Sequence, residues 1–202
     1  MLSEPAELDP ASGSDPDGEP LWFNEPRRWR HAGTELVLFT DPHTDFWRQT
    51  HYGFIRDNGH HFGARRLGDF VAQVEVNADY RSQYDQAGLM VRLDAGRWVK
   101  CGLELVDGAP LVSAVVTHAV SDWSTAALTE VPQWLGLRLT RERDALRIEY
   151  RTTAAEGSPG PWQTHRLAYL PPALAVAVGP MAASPQGGGM QVRFKDFRIA
   201  GG

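Results

Sequence analysis

Two runs of the chain, Gln86-Ala87-Gly88-Leu89-Met90-Val91-Arg92 and Trp98-Val99-Lys100-Cys101-Gly102-Leu103-Glu104, carry the side chains best suited to holding a polar ligand. In each, core-forming residues alternate with others that could do chemistry. If Leu89, Val91, Val99, Cys101 and Leu103 point into a core, then Gln86, Arg92, Trp98, Lys100 and Glu104 share the opposite face. The turn signal Asp94-Ala95-Gly96 separates the runs, so they pair as antiparallel strands. An aromatic ring among fixed polar groups suits a sugar, because the ring stacks while the polar groups read hydroxyls. Lys100 and Glu104 sit four apart, about 13 Å along a strand, too far to touch but able to flank one ligand. The competing reading is a solvated sheet face with cross-strand ion pairs.

The loops supply a rim. Asp41-Pro42-His43-Thr44-Asp45-Phe46-Trp47, His51-Tyr52-Gly53-Phe54, Asn58-Gly59-His60-His61-Phe62 and Ser121-Asp122-Trp123-Ser124 mix aromatic rings with hydrogen-bonding groups. Such mixtures mark binding surfaces, and Trp47, Tyr52, His60 and Trp123 are the rim candidates. Phe46, Trp47 and Phe62 could equally plug the open end of a sandwich.

Known catalytic patterns are missing. The chain has no glycine-rich phosphate loop, no HExxH and no GxSxG. His43, Asp45, His60 and His61 are metal-ligand types, but adjacent histidines on an extended chain point apart, so no metal and no cofactor is expected. Glu75, Asp85 and Glu104 contain no spacing that selects a carboxylate pair for glycoside cleavage.

The elements that must position these groups are strands. Phe70, Ala72, Val74 and Val76 alternate with Val71, Gln73, Glu75 and Asn77; Leu135, Leu137 and Leu139 and then Leu146, Ile148 and Tyr150 repeat the pattern. Val192 and Phe194 are out of phase with Phe197 and Ile199, which predicts a bulge near Asp196. Short helical turns are expected only at 41–50 and 126–128. About a dozen strands without a long helix predict an all-β fold, a two-sheet antiparallel β-sandwich or jelly roll. Phe70, Val74, Leu89, Val91, Leu103, Leu137, Ile148 and Phe194 are its expected core.

Composition bounds the rest. The 202 residues carry a net charge of −5, with 25 acids and 20 bases. Residues 1–20 hold six acids and no Lys or Arg, leaving 19 acids against 20 bases in the remainder. We therefore read 1–20 as a disordered acidic leader and 21–200 as the sandwich domain. A nearly neutral domain gives no electrostatic case for nucleic acid. A single cysteine excludes an intrachain disulfide framework. With no apolar run long enough for a membrane helix and no secretory start, the expected compartment is the cytoplasm and no membrane partner is expected. Eighteen of the 20 bases are Arg, so a Lys retained at 100 points to a place that wants a compact ammonium.

Four stretches resemble a known family: Thr44–Phe54, Tyr84-Asp85-Gln86-Ala87-Gly88-Leu89-Met90, Trp98–Glu104, and Val116-Thr117 followed by Ser121-Asp122-Trp123-Ser124. It is a family of unknown function that includes proteins named as regulators of enolase. The resemblance runs from about Trp22 to Ile199 and implies a concanavalin A-like lectin/glucanase fold with one concave sheet. Related glucanases carry Glu-x-Asp-x-x-Glu, which Glu104-Leu105-Val106-Asp107-Gly108 does not supply. The expectation is a non-catalytic module binding a carbohydrate or similar polar metabolite on the concave sheet. The alternatives are a regulator docking on a metabolic enzyme and a glycan-active enzyme with an unrecognised acid pair.

Overall fold

The computed structural model describes residues 18–153, 157–172 and 174–201, and in them sixteen strands and no helix. Most of the 1–20 leader thus lies outside the described residues. In chain order the first eight strands are β1 Leu21–Phe23, β2 Arg28–Ala32, β3 Glu35–Phe39, β4 Phe46–Arg48, β5 Ile55–Asp57, β6 His60–Arg66, β7 Phe70–Ala78 and β8 Gln86–Asp94. The rest are β9 Arg97–Val106, β10 Ala109–His118, β11 Val120–Ala127, β12 Trp134–Glu142, β13 Ala145–Thr153, β14 Gln163–Tyr169, β15 Val176–Ala183 and β16 Gln191–Gly201.

They form two seven-stranded sheets, β1-β6-β15-β8-β9-β10-β11 and β14-β13-β12-β7-β16-β3-β2, plus the separate hairpin β4-β5. Neighbouring strands pair antiparallel, as in the β8-β9 and β12-β13 pairs. The fold is the two-sheet sandwich that the alternation predicts. All eight expected core residues are buried between the sheets, in one cluster with Leu36, Val99, Val112 and Val192. At the out-of-phase step near the C-terminus, the β7-β16 register shifts between Lys195 and Arg198, and Asp196 takes φ 53°.

Two local expectations fail. The segment 41–50 contains β4 rather than a helical turn, because Phe46–Arg48 finds a partner strand in Ile55–Asp57. Ala126 and Ala127 end β11, paired with Val112 and Leu111. A turn at Ala119, which has φ 66°, divides β10 from β11.

The hairpin β4-β5 is what separates this sandwich from a bare one. It lies across the outer face of the first sheet and creates a second core there from Phe46, Trp47, Met90, Trp98, Val115 and Met181. Every β8 residue up to Leu93 is consequently buried. The face opposite the main core is thus divided into a covered half and an open one.

Candidate functional site

The covered half is held down by ionic contacts. Arg92 donates from Nη1 and Nη2 to both carboxylate oxygens of Asp57 at 2.9 and 2.8 Å, and its guanidinium lies 4.0 Å from the Phe23 ring centre. The Arg92 side chain is 3% exposed. Trp98 is 1% exposed beneath Phe46, with ring centres 6.1 Å apart. Alternation correctly sets both residues on this face, but they clamp the hairpin and do not line the cavity, a correction to their expected place in the site. His60 departs further: its ring bridges loops, accepting from the Asp41 N–H at Nε2 (2.9 Å) and contacting the Asn24 carbonyl through Nδ1 (2.6 Å). Burial holds its pKa below the ordinary value. His61 is fully buried and its pKa is pushed down to about 3, chiefly by burial. Among the described residues no group of three His, Cys, Asp or Glu side chains could hold a metal ion.

The open half is a cavity of about 260 Å³. Gln86, Lys100 and Glu104 form its floor, and Trp47, Tyr52 and Trp123 its wall, so six of the nine sequence candidates converge there. Asp45, His43, Tyr84, Phe54, Arg56, Pro185 and Gln186 complete it. Asp45, Phe54 and His43 stand in the aromatic loop runs, although His43 is read there only as a metal-ligand type. Tyr84 is signalled only by its place in a family-like motif, and Arg56, Pro185 and Gln186 by nothing.

Lys100 is not the exposed donor that a solvated face implies. At 4% exposure, its Nζ donates to the Phe46 carbonyl (2.8 Å) and to Gln86 Oε1 (2.5 Å), with Asp45 Oδ1 at 3.5 Å. Its three N–H bonds therefore match three protein acceptors. The Gln86 amide in turn donates to Asp45 Oδ1 (3.3 Å) and to the Tyr84 carbonyl (3.2 Å). The hairpin, the strand floor and the Tyr84 turn thus share one polar network. Gly88 and Gly102 stand opposite one another on β8 and β9. A Cβ on Gly88 would collide with the Cys101 carbonyl, so the pair permits close strand approach.

Glu104 receives neutral donors. The Trp123 indole N–H lies 3.1 Å from Glu104 Oε2 and 2.9 Å from Ser113 Oγ. Burial raises the Glu104 pKa above the usual carboxylate value, against the opposing pull of the Lys100 charge. The Tyr52 hydroxyl meets that of Tyr84 at 2.9 Å, and this bond together with burial lifts the Tyr52 phenol to about 12. His43, Gln49, His51 and Tyr84, with φ between 60° and 66°, all lie in or beside these loops. Left-handed non-glycine residues gather where a surface is built to a required shape.

Residues 22–201 match the family described as "Protein of unknown function (DUF1349)". The chain belongs to this family. "Regulation of enolase protein 1" of Saccharomyces cerevisiae is 42% identical over 178 residues, 88% of this chain and 87% of the yeast protein. A crystal structure of a functionally unknown S. cerevisiae protein superposes with a TM-score of 0.84 at 40% identity, covering 91% of this chain and 97% of that one. The carbohydrate-binding module CBM66 from Bacillus subtilis matches at TM-score 0.57 and 10% identity, over 88% of this chain and 94% of the module. The GH43 protein BlXynB of Bacillus licheniformis matches at 0.66 and 14%, with 36% of its own length covered. These last two likenesses establish the β-sandwich fold of this family member and nothing finer. No helix of the described residues is long and apolar enough to cross a membrane.

Proposed function

We propose that this family member binds a small polyhydroxylated compound, a sugar or similarly polar metabolite, in the cavity between β4-β5 and the β8-β9 floor, without converting it. The observation that carries this reading is the pairing of a preassembled polar floor with aromatic walls. Gln86, Lys100 and Asp45 are already bonded to one another, so little ordering is left for ligand binding to impose. Glu104, kept protonated to higher pH than usual, adds an O–H donor beside acceptors. The engaged Lys100 ammonium is ill-suited to act as a nucleophile, which favours binding over turnover. The fold likeness to CBM66 is in keeping with a sugar ligand.

Calorimetric titration with a panel of monosaccharides tests the reading. The expected result is saturable heat with at least one sugar, weakened tenfold or more in Trp123→Ala. Absence of heat with every sugar overturns it. Product release that disappears in Glu104→Gln replaces it with an enzyme. A second reading, docking on enolase, is favoured by the name of the yeast relative. Co-elution of the purified chain with purified enolase supports that reading, and separate elution at micromolar concentrations removes it.

A further inference from the structure

We infer that the ligand is at least two rings long, with its second ring seated beyond Trp123 in an adjoining cavity; this deepens the sugar-binding reading and rests on it. The adjoining cavity measures about 460 Å³ and is walled by Trp47, Tyr52 and Trp123, the same three rings that wall the first. Its own contributions are Thr50, His51, Ser121 and Asp122. A ligand leaving the first cavity past this wall therefore enters the second.

The rings are held in place by the protein. The Trp47 indole N–H donates to the Thr50 carbonyl at 2.9 Å, and that of Trp123 points to Ser113 Oγ and Glu104 Oε2. With both N–H groups used inside the protein, the surface the indoles leave to a ligand is carbon, most of it on Trp123 (38% exposed against 8% for Trp47), and carbon surface suits the C–H face of a sugar ring. Tyr52 is fixed by its bond to Tyr84, by the Phe54 ring stacked on it at 5.6 Å, and by edge contacts to Trp47 and His51, at centroid distances of 5.6 and 4.7 Å. The loop beneath is closed by Gln49 N–H to Phe54 carbonyl (2.8 Å) and Gly53 N–H to Gln49 carbonyl (2.7 Å). The wall is thus set before any ligand arrives.

The two cavities divide the work. The first, below the ~300 to 1,000 Å³ typical of drug-sized pockets, has room for one ring and holds the polar floor. The polar side chains of the second are Thr50, His51, Ser121 and Asp122, and the Asp122 side chain is 71% exposed. Asp122 is turned to Arg166 at 3.1 Å, and the Ser121 hydroxyl contacts Thr117 Oγ1 and the Arg48 N–H. The first ring is read by hydrogen bonds, and the second gains chiefly by stacking.

The test titrates matched pairs, glucose with cellobiose and maltose, xylose with xylobiose, and galactose with lactose, into the wild-type chain and His51→Gly. Glycine keeps the left-handed backbone of position 51 (φ 63°) while removing the ring. At least one disaccharide is expected to bind tenfold or more tightly than its monosaccharide. In His51→Gly that ratio is expected to fall to threefold or less, with the melting curve confirming a folded protein. Equal wild-type affinity for each disaccharide and its monosaccharide overturns the second ring while the single-sugar reading stands. An undiminished ratio in His51→Gly also overturns it. Absence of heat with all seven sugars overturns both readings together.

Discussion

The two outer faces of the sandwich use the same residue types to opposite ends. On the second sheet, Arg138 grips both oxygens of Glu149 at 2.7 and 2.8 Å. Arg151 reaches over Gly136 to Glu75 at 2.6 Å, and the Trp162 ring lies 4.4 and 4.6 Å from the Arg138 and Arg151 guanidiniums. Carboxylates, cations and an aromatic ring are all present, and each carboxylate has its guanidinium. The Arg138 hydrogen bond holds the Glu149 pKa down. On the first sheet, Glu104 meets an indole and a hydroxyl instead, its pKa rises, and a cavity opens beside it. A carboxylate matched by a fork of N–H donors is finished as structure. One left with neutral partners in a buried setting holds its proton to higher pH than usual and keeps capacity to serve a ligand.

The largest effect that would break this contrast comes from deleting one cation on each face. Lys100→Met strands the Phe46 carbonyl, Gln86 Oε1 and Asp45 in a buried setting, and removing one partner of such a group costs about 3 to 5 kcal/mol. Arg138→Met opens a pair whose arginine side chain is 26% exposed, and should cost about 1 kcal/mol. Urea titration of both variants measures the difference. Equal losses would mean that the Lys100 network is an ordinary surface lattice like that of the second sheet.

Next in size are the positions where the faces should not differ. Leu103 and Leu137 face the same core from opposite sheets, at 1% and 0% exposure. Leu103→Ala and Leu137→Ala should each cost about 2 to 5 kcal/mol. A Leu103→Ala loss under about 1 kcal/mol would show that the first sheet draws its stability from the hairpin side instead of from the shared core.

Legibility in the sequence follows the same division. Strands facing a single core announce themselves, since Leu137 and Ile148 alternate with Arg138 and Glu149. The shared face of Gln86, Lys100 and Glu104 is legible for the same reason. Alternation cannot show what covers that face. Arg92 and Trp98 have the right parity and the wrong neighbours, because β4-β5, joined to the sheets by loops, arrives on top of them. Twenty residues between β3 and β6 rich in aromatic rings are the available sign of such a cover, since a long loop of that kind has a packing or binding purpose. Tyr84 and Gln186 reach the cavity through turns far apart in the chain, and no periodicity links them.

The smallest effect is a difference in pH dependence, and it tests the contrast most directly. Both glutamates start from an ordinary value of 4.5. Glu104 is raised by burial, so the folded state holds its proton more tightly than the unfolded chain does. The stability this brings is fully present below about 4.5 and is lost as pH rises through the folded value. Glu149 is lowered by Arg138, so its contribution is present above about 4.5 and is lost as pH falls through the folded value. Glu104→Gln should therefore gain on the wild type as pH rises from 4 toward 8. The deficit of Glu149→Gln should be greatest near neutrality and shrink as pH drops from 5 toward 3. Urea midpoints across pH 3 to 8 give both curves. If the two differences run in the same direction with pH, Glu104 is paired in the manner of Glu149, and the first sheet loses the protonated donor that the binding reading assigns to it.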